Sequence, residues 1–200
     1  LAETNVKLKQ RYRAMPEEFY TKTKLQVVTP QNSKLFMDAH TDLEMLWDLQ
    51  EHCSGSGRLS LTAYETGLAV GFPADYRYGW DLSLKAHQQM LDRAHRRFKP
   101  GALFTAMDCR NWSSMATQRD PVELASARDA ETPYLEWLHE QNAQQDRNKR
   151  VFINENPFGG VVFAKSPLLK NASIPGHVPI NGATHVDMAC ATSWVSQWRR

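Results

Sequence analysis

Cysteine is scarce in this chain: three residues in 200, Cys53, Cys109 and Cys190, widely spaced and without a Cys-x-x-Cys pair. An odd number at such spacing argues against a disulfide framework and for reduced thiols in an intracellular setting, nuclear or cytoplasmic. Long apolar runs are missing as well. No stretch approaches the roughly 20 residues needed to span a bilayer, and no signal-peptide pattern opens the chain, so no membrane partner is expected. Net charge is only +2, too little to name a partner. There is no internal repeat and no low-complexity tract. His177, His185 and Cys190 lack a fourth ligand at zinc spacing, so no metal site is expected.

What is present is ordinary for a globular protein: 42% hydrophobic and 23% charged residues. A chain of 200 residues is long enough to bury a real core as one domain. It begins with Leu and not Met, which suggests a processed product or a piece of something larger. From Leu1 to Lys34 there are seven basic residues against three acidic ones. A basic arm can touch phosphates, although a solvated linker is the simpler reading. Residues 1–42 show no sustained period, with Thr29-Pro30-Gln31-Asn32-Ser33 as a loop, and are expected to form an extension outside the core. Residues 43–200 are expected to form the domain.

Met45, Trp47, Leu49 and Cys53 alternate with mostly polar neighbours, as in a strand covered on one face; a helix from Leu43 is the alternative. Ser54-Gly55-Ser56-Gly57 breaks that segment, and a short helix from Leu59 to Thr66 follows. Leu68 to Phe72 reads as a second strand. Leu84, Leu91, Ala94 and Phe98 share one face of a helix from Ser83 to Phe98, which Pro100-Gly101 ends. Ala102 to Met107 reads as a buried strand. Pro121 to Asn148 reads as one long helix, or two meeting near Pro133. Val151-Phe152-Ile153 reads as a short buried strand, and Ala183 to Met188 as a last candidate. Alternating strand and helix patterns imply an α/β fold, a mainly parallel sheet with helices on both faces.

Polar residues gather at the carboxyl ends of these strands, where open α/β sheets place their ligands. Gly55 and Gly57 allow a ligand to approach the backbone, and the helix start behind them offers free N–H groups. Asp75 follows the second strand 18 residues after Gly57, the distance at which dinucleotide folds hydrogen-bond a ribose. Cys109 opens the loop after the third strand. Glu155 ends the fourth, and a carboxylate is rarely left at a buried strand's end without a partner. A thiol and a carboxylate on neighbouring strand ends suit a nucleophile and a proton donor.

Four segments, in order, resemble the S-adenosylmethionine-dependent cytosine-C5 methyltransferases, and divergent relatives within mobile-element polyproteins above all. Glu51-His52-Cys53-Ser54-Gly55-Ser56-Gly57-Arg58-Leu59-Ser60 is similar to the family's acid–Leu–Phe–Cys–Gly–x–Gly–Gly–Leu–Ser. The resemblance implies a Rossmann-like methyltransferase fold, with S-adenosylmethionine held by Glu51, Ser54, Gly55, Ser56 and Gly57 and its ribose by Asp75. Met107-Asp108-Cys109-Arg110-Asn111-Trp112-Ser113 resembles Pro–Pro–Cys–Gln–x–Phe–Ser and implies Cys109 as nucleophile. Glu155-Asn156-Pro157 resembles Glu–Asn–Val and implies Glu155 as the contact to cytosine N3. The implied substrate is DNA or RNA, with the target base taken out of the stack.

Departures from the pattern are specific. Asp108 replaces a proline beside the nucleophile, where its charge would oppose thiolate formation unless Arg110 compensates. Cys53 replaces an aromatic, Arg58 a glycine and Pro157 a valine. Gln197-Trp198-Arg199-Arg200 matches the family's Gln–x–Arg–x–Arg incompletely. No target-recognition domain follows, so nucleic-acid recognition would need further chain or a partner domain. The competing expectation is a catalytically degenerate methyltransferase fold acting as a binding or structural module. A third, from Asn156-Pro157-Phe158, is amino-methylating chemistry, which lacks a second proline and leaves Cys109 unexplained.

Overall fold

The computed structural model describes residues 25–40, 46–108 and 110–155. Three parallel strands, β1 (Leu49–His52), β2 (Ala102–Ala106) and β3 (Val151–Glu155), stand in the order β1-β2-β3. Leu49 lies opposite Ala102, and Ala102 opposite Val151. On the other flank of β1, residues 70–74 run parallel through bridges from Leu49 to Val70 and from His52 to Ala74. The described residues are thus mixed α/β with a small open parallel sheet.

Helices cover both faces. On one, α2 (Arg58–Glu65) packs Ala63 against Leu49 and Val70, with Ala102 and Phe104 beside them. On the other lie α3 (Lys85–Phe98) and α4 (Pro121–Arg147), whose Leu91, Phe98, Leu135 and Leu138 are fully buried. Strand β1 is therefore buried on both faces, not one as its alternation suggested: Gln50, Glu51 and His52 are all buried. Two of these polar side chains are paid for locally. Gln50 Nε2 donates to Phe72 O at 2.9 Å, and Glu51 takes two hydrogen bonds from α2.

The helix over residues 121–147 is continuous. Asp120 caps it by accepting from Val122 and Glu123 N–H, and Pro121 occupies its first position, where a missing N–H costs nothing. Pro133 sits inside it without dividing it, because tertiary packing of Leu135, Trp137 and Leu138 holds the turns on either side.

The boundary expected at residue 42 is not where the core begins. Helix α1 (Ser33–Ala39) drives Phe36 into the main cluster, and Val28 joins it. The Phe36 ring lies 5.2 Å from that of Phe72 and 5.7 Å from that of Phe98; Trp47 stacks on Phe98 at 4.3 Å. Trp80 Nε1 donates to Val28 O at 2.7 Å. Two helical turns and a few apolar residues are too short a period to read from sequence, yet they close one end of the core. The remainder of the expected extension, residues 1–24 and 41–42, lies outside the described residues, as do Cys109, Asn156, Pro157, the candidate strand Ala183 to Met188, and the carboxyl-terminal Gln197 to Arg200 segment.

Candidate functional site

The glycine loop leaves β1 through three residues in the left-handed region: Cys53 at φ 52°, Gly55 at 54° and Gly57 at 68°. A Cβ on Gly55 would meet nothing within 4 Å, so its outer side is open; a Cβ on Gly57 would stand 3.3 Å from Leu25 and 3.4 Å from Tyr78 Oη. Gly57 therefore serves packing, and Gly55 leaves space. Ser54 is buried, and its hydroxyl has no partner among the described residues, while Ser56 is exposed.

Glu51 is turned toward α2. Its Oε2 accepts from Ser60 N at 2.9 Å and from Ser60 Oγ at 2.6 Å, tying the two ends of the loop together. Burial pushes its carboxyl above the usual range, against the lowering effect of the two Ser60 hydrogen bonds. Asp75 reaches the same loop from the next strand end: Oδ2 accepts from Gly55 N at 2.8 Å, and Oδ1 from Arg77 N at 2.9 Å. Glycine loop and acid are thus in direct contact. Tyr76, next to Asp75, is 72% exposed, an aromatic face the sequence reading passed over. Its signal was its place directly after the acid.

Cys53 is not a reactive thiol. Its sulfur lies 2.7 Å from Tyr134 Oη of α4, and burial pushes it up to about 12.

The loop after β2 is held by α4. Trp112, 4% exposed, donates from Nε1 to Glu131 Oε2 at 2.5 Å, and Asn111 Nδ2 donates to Glu131 Oε1 at 2.7 Å. Arg128, one turn earlier, donates from Nε to Asn111 O at 2.8 Å and sits 5.0 Å over the Trp112 ring. A buried indole needs an acceptor. That need was legible; its partner, on a helix that begins after the loop, was not. Asp108 is engaged by Arg110, whose backbone N–H donates at 2.8 Å and whose guanidinium pairs with it at 2.9 Å, both side chains exposed. Cys109, between them, lies outside the described residues. Glu155 ends β3 in register with Ala106, so the β2 segment that leads to Cys109 and the strand that ends at Glu155 are immediate neighbours; but β3 is not the buried strand its apolar run suggested, with Ile153 and Glu155 both exposed.

Beneath these loops runs a polar row, buried at His52 and Thr105 and half-buried at Asn154. His52, Thr105 and Asn154 lie in register across the three strands. The His52 ring stacks on His95 at 4.9 Å and on Trp137 at 5.4 Å. Neither His52 nitrogen has a partner among the described residues, nor do Thr105 Oγ1 and His95 Nε2. Burial holds both imidazoles below their usual range. Among the described residues no three His, Cys, Asp or Glu are placed to hold a metal ion, and no helix is long and apolar enough to cross a membrane. No family model, curated protein or solved structure matches the chain.

Proposed function

We propose that the chain carries a Rossmann-like, S-adenosylmethionine-dependent methyltransferase domain of the cytosine-C5 type, acting on nucleic acid. The observation that carries this reading is the contact between Gly55 N and Asp75 Oδ2, which joins the glycine loop after β1 to the acid after the segment bridged in parallel to that strand. The residues fit a nucleoside ligand: Gly55 leaves open space, the buried Ser54 hydroxyl is unpartnered, and Tyr76 offers an exposed ring beside the acid. Asp75 would exchange Gly55 N for ribose hydroxyls. When bound, S-adenosylmethionine supplies an electrophilic methyl group. Cys109 would add to cytosine C6, Glu155 would hydrogen-bond N3, and Glu131 with Arg128 would hold the intervening loop.

The degenerate reading has its own support. Asp75 is already satisfied by two backbone N–H groups, and Cys53, in the place of an aromatic, is drawn away to Tyr134. Calorimetric titration with S-adenosylmethionine separates the two. Saturable binding by the parent, abolished in Gly55→Val while circular dichroism stays unchanged, supports the methyltransferase site. Heat from neither protein supports the binding or structural module.

A further inference from the structure

Helix α3 carries four cations and one acid outside its histidines, and the fold sorts them by side. Asp92 faces α4, where its Oδ1 accepts from Trp137 Nε1 at 2.8 Å and from Gln141 Nε2 at 2.9 Å. Lys85, Gln89, Arg93 and Arg96 fall at helical spacing on the exposed side, and Lys99 follows. Among the described residues Lys85, Arg93, Arg96 and Lys99 form no ion pair. Every charged side chain on this exposed side is therefore basic.

The helix itself benefits from only the Arg96 end of this stripe. Lys85 is its first residue, at the end where the helix dipole disfavours a cation, and no acid lies in the first turn. Arg93 stands one turn from both Arg96 and Arg97, and like charges at that spacing cost a few tenths of a kcal/mol each. Only the cations of the last turn suit the dipole. A charge pattern that weakens its own helix calls for an anionic partner.

Shape adds to charge. Between α1 and α3 lies a cleft of about 200 Å³, with Met37, Met90 and Phe72 inside and Lys34, Asp38 and Arg93 around it. It is smaller than the roughly 300 Å³ at which drug-sized pockets begin, leaving room for no more than a single base. From Lys85 to Arg96 the stripe runs about 16 Å at the helical rise, over which one strand of a duplex presents about four or five phosphates.

We propose that a nucleic-acid strand lies along the outer face of α3, its phosphodiesters on Lys85, Arg93 and Arg96 and one base seated in the cleft between Lys34 and Arg93. This surface adjoins the loop after Asp75, since Asp81 N donates to His87 Nδ1 at 3.0 Å, but includes neither the glycine loop nor Asp75. It shares the class of partner with the methyltransferase reading but not its cofactor site, so calorimetry with S-adenosylmethionine and the experiment below fail independently.

The test is fluorescence anisotropy of the full chain with a labelled 20-nucleotide single strand and the matching duplex across a salt series. The single strand binds more tightly than the duplex, because its bases are free to enter the cleft. In the triple variant Lys85→Gln/Arg93→Gln/Arg96→Gln the plot of log K against log salt becomes shallower by about 2, and affinity for the single strand falls about 50-fold near 0.15 M salt. Arg147→Gln with Lys149→Gln, at the far end of α4, changes affinity at most a few-fold. All the substituted side chains are exposed, and circular dichroism checks the fold. The proposal is overturned by a parent that binds neither oligonucleotide, by a triple variant with the parent's slope, by a control pair that loses as much, by tighter binding of the duplex, or by binding to anionic lipid vesicles without binding to either oligonucleotide.

Discussion

Replacing His52 with Phe isolates the energetic effect of one buried imidazole. His52 is fully buried, and its neighbours are fixed: His95 from α3, Trp137 from α4 and Thr105 from the sheet. The charged groups near the stacked pair are Asp92, already engaged by Trp137 and Gln141, and Arg96 and Arg150, which disfavour a further positive charge. The native protein therefore keeps His52 neutral, while the unfolded chain takes up a proton near pH 6.5. The unfolded state binds more protons, so stability present above pH 6.5 is lost as pH falls, by about 1.4 kcal/mol per pH unit for each histidine held neutral. Between about pH 6.5 and pH 5 the His52 share is about 2 kcal/mol. His95 and His40, also lowered by burial, add to the loss; Glu51, raised by burial, acts in the opposite sense. Those contributions cancel in the comparison of parent with His52→Phe. Urea unfolding followed by tryptophan fluorescence at several pH values should show the variant losing about 2 kcal/mol less than the parent over this window. Near pH 7.5 the variant should be at least as stable, because two unpartnered buried nitrogens, each costing about 1–3 kcal/mol, are gone. Identical pH dependence in the two proteins would refute the neutral-histidine argument.

Two further outcomes follow from geometry. A small alkylating reagent at pH 7 should leave Cys53 unmodified in the native protein, since its thiol is pushed up to about 12, and peptide mapping that finds it labelled before unfolding would contradict its burial against Tyr134. Gly71→Ala would place a Cβ 2.1 Å from Gln50 Oε1 and 2.6 Å from the Trp47 ring, an overpacking cost of about 3 kcal/mol read as a fall of about 6 °C or more in melting temperature, whereas Gly55→Ala, with open space, should cost about 1 kcal/mol from its backbone alone.

Much of the layout was legible because strands and helices here announce themselves by composition. Ala102 to Met107 and Val151 to Ile153 are apolar runs between breakers, and Leu84, Leu91, Ala94 and Phe98 mark one helical face. What was not legible depended on tertiary partners. Gln50, Glu51 and His52 look like exposed polar residues until α2, α3 and the neighbouring strands cover them. Phe36 looks like an isolated aromatic until Phe72 and Phe98 surround it. At the site, Asp75 and the glycine loop were each visible, and their hydrogen bond follows from the parallel bridge of His52 to Ala74 just before them. Glu131 was not, because nothing in a helix rich in Glu and Gln distinguishes the one carboxylate that meets a buried indole across 19 residues.

Strand pairing also sets a timetable for synthesis. Partners in register, Leu49 with Ala102 and Ala102 with Val151, stand about 50 residues apart in the chain, which makes the sheet intrinsically slow to assemble. At roughly 5–20 residues per second, a ribosome needs several seconds to deliver each successive strand. During the first interval Phe36, Trp47 and Phe72 have emerged, but Phe98, which three-dimensional packing sets against Phe36 and Trp47, has not. A nascent chain stalled within α3 should therefore display an aromatic cluster without its lid and bind chaperones strongly. One extended past β3 should release them, an ordering that ribosome-bound chains of graded length can display directly.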